Sequence, residues 1–248
     1  MPWFAGCDEM VGETIAIMNS SSIRRAVRFI VSSVLVAGFL ASCVSTKNVA
    51  LSSADKAVMR GKTVTVTQRE NPHHWVMKQS AMAAASLGGA VGGAIAGAVA
   101  EKEGAEQIRI HQIGNPNDTI SKPTEKDLLS KTGLKLVARR GTTTSLDPKE
   151  VAAQNTHADY VLDCFTTSWF GTYYPFSFGK YFMTYAAKMQ LIETSTGRVV
   201  AEGFTSYQGK DRGNAPDYDG IYSNGAAFLK SETKTGTDMA IGTFTKQF

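Results

Sequence analysis

Few residues of this chain have both the type and the spacing that chemistry needs. His73 and His74 are adjacent, which points them apart in an extended chain and gives poor convergence on a metal ion. His111 and His157 stand far off without a flanking acidic cluster, so the histidines read as solvent-facing or locally hydrogen-bonded. Asp211, Asp217 and Asp219 lack the regular ligand alternation of a calcium loop and fit a solvated turn. Gly61-Lys62-Thr63 ends like a phosphate-binding loop, but Lys56 occupies the place of its first glycine and the β-branched residues that follow favour a strand. No nucleophile elbow, zinc-protease helix, Cys-x-x-Cys pair or dinucleotide fingerprint occurs. The sequence thus predicts no catalytic residue, no metal site and no cofactor.

The cysteines carry more. Cys164 lies in the apolar, strand-like run from Tyr160 to Phe165 and reads as a buried, inert thiol. Cys43 follows an uncharged apolar run, Phe29 to Phe39, which itself follows Arg24, Arg25 and Arg28, the layout of a secretory signal peptide. The run is too short to span a bilayer comfortably, since about 20 apolar residues are needed. Leu40-Ala41-Ser42-Cys43 resembles the lipobox of bacterial lipoproteins: an aliphatic residue, two small ones, then cysteine. That resemblance implies a multiply acylated, palmitate-type anchor on Cys43 and a mature chain beginning there. Val44 lacks the aspartate that retains many enteric lipoproteins at the inner membrane, so it favours the outer membrane; which side of it the domain faces stays open, and a lipid-anchored, periplasm-facing placement is the expectation. Residues 1–17 carry Asp8, Glu9 and Glu13, whereas Met18 opens a leader of ordinary basic character. Residues 1–17 therefore read as a mis-assigned extension and 18–42 as the signal peptide, with Cys7 in the extension.

Removing residues 1–42 discards three Arg, one Asp and two Glu and leaves the net charge of +4 unchanged. A mild excess without a Lys/Arg cluster does not indicate nucleic-acid binding. The remaining chain is long enough for one well-packed domain with attachments. Residues 43–61 read as a tether, 62–114 as a strand plus an Ala/Gly-rich helical segment, and 115–248 as an α/β domain.

Between Ala81 and Ala100 a four-residue repeat places Gly89, Gly93 and Gly97 nearly above one another on a helix, with Leu87, Val91, Ile95 and Val99 as a displaced ridge. Small residues at this spacing let another helix approach closely. The segment resembles the glycine zippers of several outer-membrane lipoprotein families. Four aliphatic residues contribute only about −2 kcal/mol toward insertion of a lone helix, so both membrane association and a helical hairpin packed on the protein's own surface stay open.

Further on, Asp147-Pro148-Lys149-Glu150 is a helix start, and Gly133 suits a helix C-terminus. Tyr160–Thr167 reads as a central strand. Tyr181–Ile192 and Arg198–Tyr207 read as a hairpin turning at Gly197, with Tyr181, Met183, Tyr185, Ala187, Met189 and Leu191 on the core face. A closing helix is expected over Ser223–Lys246, with Asn224 as N-cap and Phe228, Leu229, Met239 and Phe244 as its buried stripe. The predicted fold is α/β (α+β): a small mixed sheet with a β-hairpin, flanking helices and the Ala/Gly-rich segment.

The aromatic run in the connection from Ser168 to Gly179 is too dense to bury in a short loop, which makes Trp169, Tyr173, Tyr174 and Phe176 a candidate contact patch for a protein, a bilayer interface or a sugar. Ala158-Asp-Tyr-Val-Leu162 and Leu191-Ile-Glu-x-x-x-Gly-Arg-Val-Val200 resemble periplasmic α/β lipoproteins of the curli-secretion and peptidoglycan-synthase-activating type. The resulting expectation is a non-enzymatic, lipid-anchored envelope protein that binds a protein partner or self-associates. The alternative is an envelope glycan-binding module or hydrolase.

Overall fold

The computed structural model describes residues 47–174 and 176–248, so the expected signal peptide and Cys43 lie outside the described residues. A six-stranded mixed sheet organises the rest, as the predicted α/β class requires. Its strands are β1 (Thr63–Val66), β2 (Trp75–Val76), β3 (Lys135–Leu136), β4 (Tyr160–Tyr174), β5 (Ser177–Glu193) and β6 (Arg198–Gln208). The order is β3-β1-β4-β5-β6, and β2 runs beside the far half of β4. Contacts of β1 with β3 and β4, and of β2 with β4, are parallel; β4–β5 and β5–β6 are antiparallel.

The helices are α1 (Ser53–Met59), α2 (Gln79–Ile110), α3 (Pro116–Thr132), α4 (Pro148–Gln154) and α5 (Tyr218–Phe244), followed by a 3-10 turn, Thr245–Gln247. Local chemistry sets several of their ends. The Asp147 carboxylate accepts from the Lys149 N–H with Pro148 at the first helical position. Gly133 adopts φ +71° and closes α3 by donating to the Leu129 carbonyl. Helix α3 starts at Pro116, where Asn115 caps it, and accommodates Pro123 inside.

All six residues of the predicted β5 face are buried. They meet Ile120 and Leu128 of α3 and Leu229 and Phe244 of α5 in the main core, where each large side chain contributes about 1.5–3 kcal/mol. Across the sheet, Val151 and Ala152 of α4 cover Val161 and Ile192. Cys164 is buried, and burial pushes its thiol well above the usual range, in line with an inert side chain.

A buried ion pair ties the first part of the chain to the sheet. Arg69 donates from Nε to Asp163 Oδ1 at 2.7 Å and from a terminal nitrogen to Oδ2 at 2.6 Å. Asp163 also accepts from the Thr67 hydroxyl, and Arg69 reaches the Ser145 carbonyl. The bidentate fork therefore holds β4, the segment after β1 and the 143–145 loop together.

The chain enters this fold along the free edge of β6. Val49 and Glu202 exchange backbone hydrogen bonds of 2.7 and 2.9 Å in an antiparallel bridge, and Asn48 Oδ1 accepts from the Phe204 N–H. Going back from Val49 toward Lys47, the path runs toward the Gln208 end of β6.

Two sequence expectations are corrected. The region expected as a loop from Ser168 to Gly179 is mostly strand, with β4 running to Tyr174 and β5 resuming at Ser177. The closing helix begins at Tyr218, breaks over Ser223–Ala226 and resumes. Asn224 has φ +51° there, a left-handed conformation in place of the extended one an N-cap adopts. Met239 of the predicted stripe is exposed, whereas Leu229 and Phe244 are buried and Phe228 is half-buried.

Candidate functional site

Three features stand apart from the packed body: the helical segment α2, the tip of the β4–β5 hairpin and a cluster around His74. Helix α2 is not straight. Gly89 takes φ +59° and ψ −144°, a conformation essentially open to glycine alone, and the chain reverses there. Lys78 and Glu103, at the two ends of the reversal, form a 3.0 Å ion pair. The Tyr218 hydroxyl donates to Glu103 at 3.1 Å, closing the base of the resulting αα-hairpin. Gly104 rests directly on the backbone of His74 and Trp75.

Gly89 is thus the turn of a hairpin and not a rung of a continuous groove. Gly93 and Gly97 do stack on the second arm, and a methyl built at either would meet nothing within 4 Å. Beside them Val91, Ile95 and Val99 are exposed, Val91 to 71 %. The apolar stripe therefore has no filling from the described chain. Among the described residues no helix is long and apolar enough to cross a membrane.

The candidate aromatic patch divides sharply. Trp169 is 2 % exposed and its indole N–H donates to Thr233 Oγ1 at 3.0 Å, which removes it from any contact surface. Tyr173 is half-buried, edge-on to Tyr181. The Tyr174 hydroxyl donates to the Gly209 carbonyl and its ring leans on Phe182 at 4.7 Å. Phe176, at the tip, is 92 % exposed with φ +59°. The strands that carry it outrun the sheet, because β6 pairs with β5 only up to Thr184 and β2 with β4 only up to Gly171.

His74 corrects the solvent-facing expectation for the histidines. Only 2 % of it is exposed, its ring sits 4.7 Å from Trp169, and its Nδ1 has no hydrogen-bond partner. Burial lowers its pKa from the ordinary 6.5 to about 4, with the Trp169 backbone opposing part of that fall, so the imidazole is neutral at neutral pH. Tyr222 lies edge-on to it, and Tyr218 and Tyr181 continue the ring contacts to the base of the αα-hairpin. A cleft of about 410 Å³ lies beside it, lined by Pro72, His73, Glu101, Ile108 and Gln112. This cluster escapes the sequence because Tyr181, Tyr218 and Tyr222 reach His74 only through tertiary contacts.

The remaining candidates are structural. Gly61 turns with φ +81°, and Lys62 lies over the Tyr160 ring. Asp211 accepts from its own turn, and Asp217 caps α5. Among the described residues no group of three or more His, Cys, Asp and Glu could hold a metal ion.

No protein-family model and no curated protein matches the chain. Solved structures that resemble it include the hypothetical protein CT253 from Chlamydia trachomatis, at TM-score 0.35 and 11% identity, covering 73% of this chain and 95% of that one. The PelC dodecamer from Paraburkholderia phytofirmans matches at TM-score 0.32 and 14% identity, covering 79% and 92%. The LpoB C-terminal domain from Salmonella enterica matches at 0.26 and 14%, covering 61% and 85%. Likeness at these scores transfers no function to this chain.

Proposed function

We propose that this chain is a lipoprotein of the bacterial envelope, anchored through a lipid on Cys43, whose role is binding or assembly rather than catalysis. Its lipobox-like Leu40-Ala41-Ser42-Cys43 and the signal pattern before it support the anchor. With Val44 after the cysteine, the outer membrane is the site of attachment and the periplasm the side the domain faces. The observation that carries the assembly role is the open stripe on α2. Gly93 and Gly97 leave room for a close approach, and the Val91-Ile95-Val99 ridge beside them is left in solvent. The partner is a second copy or another envelope protein that inserts a helix there. The sugar-stacking alternative loses its largest ring, since Trp169 is buried.

Mass spectrometry of the processed protein tests the anchor: a chain beginning at an acylated Cys43 is expected, and an unmodified Cys43 refutes it. Gly93→Leu tests the stripe. Since the space over Gly93 is empty, monomer stability should hold while oligomer size, or recovery of a cross-linked envelope partner, falls. An unchanged oligomer and unchanged partner recovery would sink the assembly role.

A further inference from the structure

We propose that the tip of the β4–β5 hairpin is a second membrane contact, seating Phe176 in the headgroup region of a bilayer that contains anionic lipid; this rests on Cys43 being the lipid anchor. The tip carries two of the properties an interfacial element needs. Phe176 is an almost fully exposed ring held outward in a left-handed backbone conformation that a phenylalanine adopts only at a cost. The segments beside it carry exposed cations: Lys180 on β5, and Lys210 and Arg212 on the loop after β6, which is bonded to Tyr174 and Ser177. Arg212 is placed there by donating from Nε to Ser177 Oγ at 2.9 Å. Asp211, the acid between them, accepts from the Gly213 and Asn214 N–H groups and from the Asn214 side-chain amide, so three exposed cations stand against one exposed acid. An exposed aromatic beside net positive charge complements an anionic lipid surface.

The path of the chain supplies the third property. Val49 pairs antiparallel with Glu202, so the described chain runs from Val49 back to Lys47 toward the Gln208 end of β6. That is the end from which the hairpin projects, since Gln208 faces Thr184 and β5 continues from there to the tip. Lys47 and the tip therefore lie toward the same end of the sheet. Lys47 lies near the level of Phe204, which pairs with Lys188, twelve residues along β5 from Phe176. That separation is about 40 Å, and four residues from Cys43 to Lys47 reach about 14 Å. Both meet one flat surface when the hairpin lies within about 20° of its plane.

The test uses the full lipidated chain carrying Phe176→Trp, reconstituted in phosphatidylethanolamine/phosphatidylglycerol vesicles with brominated acyl chains. The emission that the substitution adds over the parent chain should shift to the blue and be largely quenched. Adding Lys180→Glu and Arg212→Glu should weaken that quenching about tenfold or more. The exposure of Phe176 makes misfolding of the tryptophan variant no concern, and circular dichroism of each variant checks the others. Unquenched emission from a chain shown by mass spectrometry to carry lipid overturns the proposal. So does emission shielded from aqueous iodide but not reached by bromolipid, which marks a protein contact instead. If Cys43 carries no lipid, the anchor fails by itself. Vesicle-dependent quenching of that soluble chain would still uphold the tip contact, and its absence would overturn it.

Discussion

Lys78 Nζ lies 3.0 Å from Glu103 although Lys78 caps the helical stretch that contains Glu103; in a straight helix their separation of 25 positions would span about 37 Å. The pair closes a hairpin whose reversal rests on Gly89. A β-branched residue cannot adopt φ +59° with ψ −144° without strain. Gly89→Val should open the hairpin. Oxidative cross-linking of Lys78→Cys to Glu103→Cys checks this: efficient in the parent, it should fall severalfold with Gly89→Val.

The glycines of the second arm should separate by sign. At Gly93 and Gly97 a methyl has open space, so alanine should stabilise by up to about 1 kcal/mol through helix propensity. At Gly104 the same methyl would fall 1.9 Å from the His74 carbonyl oxygen, a backbone atom that cannot step aside. Gly104→Ala should cost about 2 kcal/mol or more. Urea midpoints of the three variants decide it.

His74 makes stability depend on pH. Its folded pKa of about 4 lies below the unfolded 6.5, so the unfolded chain binds more protons between these values. The neutral imidazole's contribution is complete above about pH 6.5 and is lost as pH falls through about 4, to a total of about 3 kcal/mol. Thermal melts from pH 7 to pH 4 should show this slope, and His74→Phe should flatten it.

Trp169 and Thr233 join the hairpin to α5 by a buried hydrogen bond. Thr233→Val keeps the shape and orphans the indole N–H, which should cost about 1–3 kcal/mol in chemical denaturation. Trp169→Phe combined with Thr233→Val should recover part of that loss, because neither polar group is then left buried alone.

What the sequence reveals follows the range of the forces involved. Asp147, Pro148 and Gly133 act within a turn of their own position, and the helix ends they announce are the ones observed. The β5 face was legible because its alternation is strict over six residues, Tyr181 to Leu191. The hairpin beyond Thr167 was not, since Ser168 and Gly171 are weak strand formers held there by pairing with Ala186 and Met183. Gly89 looks like Gly93 and Gly97 in sequence; the contacts that go with its turn, Gly104 on His74 and Trp75 and Glu103 with Lys78 and Tyr218, are all tertiary. Of the four aromatic candidates, local pattern could not tell that Trp169 finds Thr233, 64 residues away, while Phe176 finds nothing among the described residues to bury it.

The antiparallel seating of Asn48 and Val49 along β6 also fixes how the fold bears load. A pull on Lys47, directed along the line from Val49 back to Lys47, runs parallel to the strand and across the Val49–Glu202 and Asn48–Phe204 hydrogen bonds. Bonds perpendicular to the strands are then stressed together, in shear, instead of one after another as in peeling. Leu51, bonded to the Gln247 carbonyl, passes any remainder to the C-terminal end of the chain. Tension on the leading segment thus enters the sheet as a shared load and reaches both termini of the domain at one place.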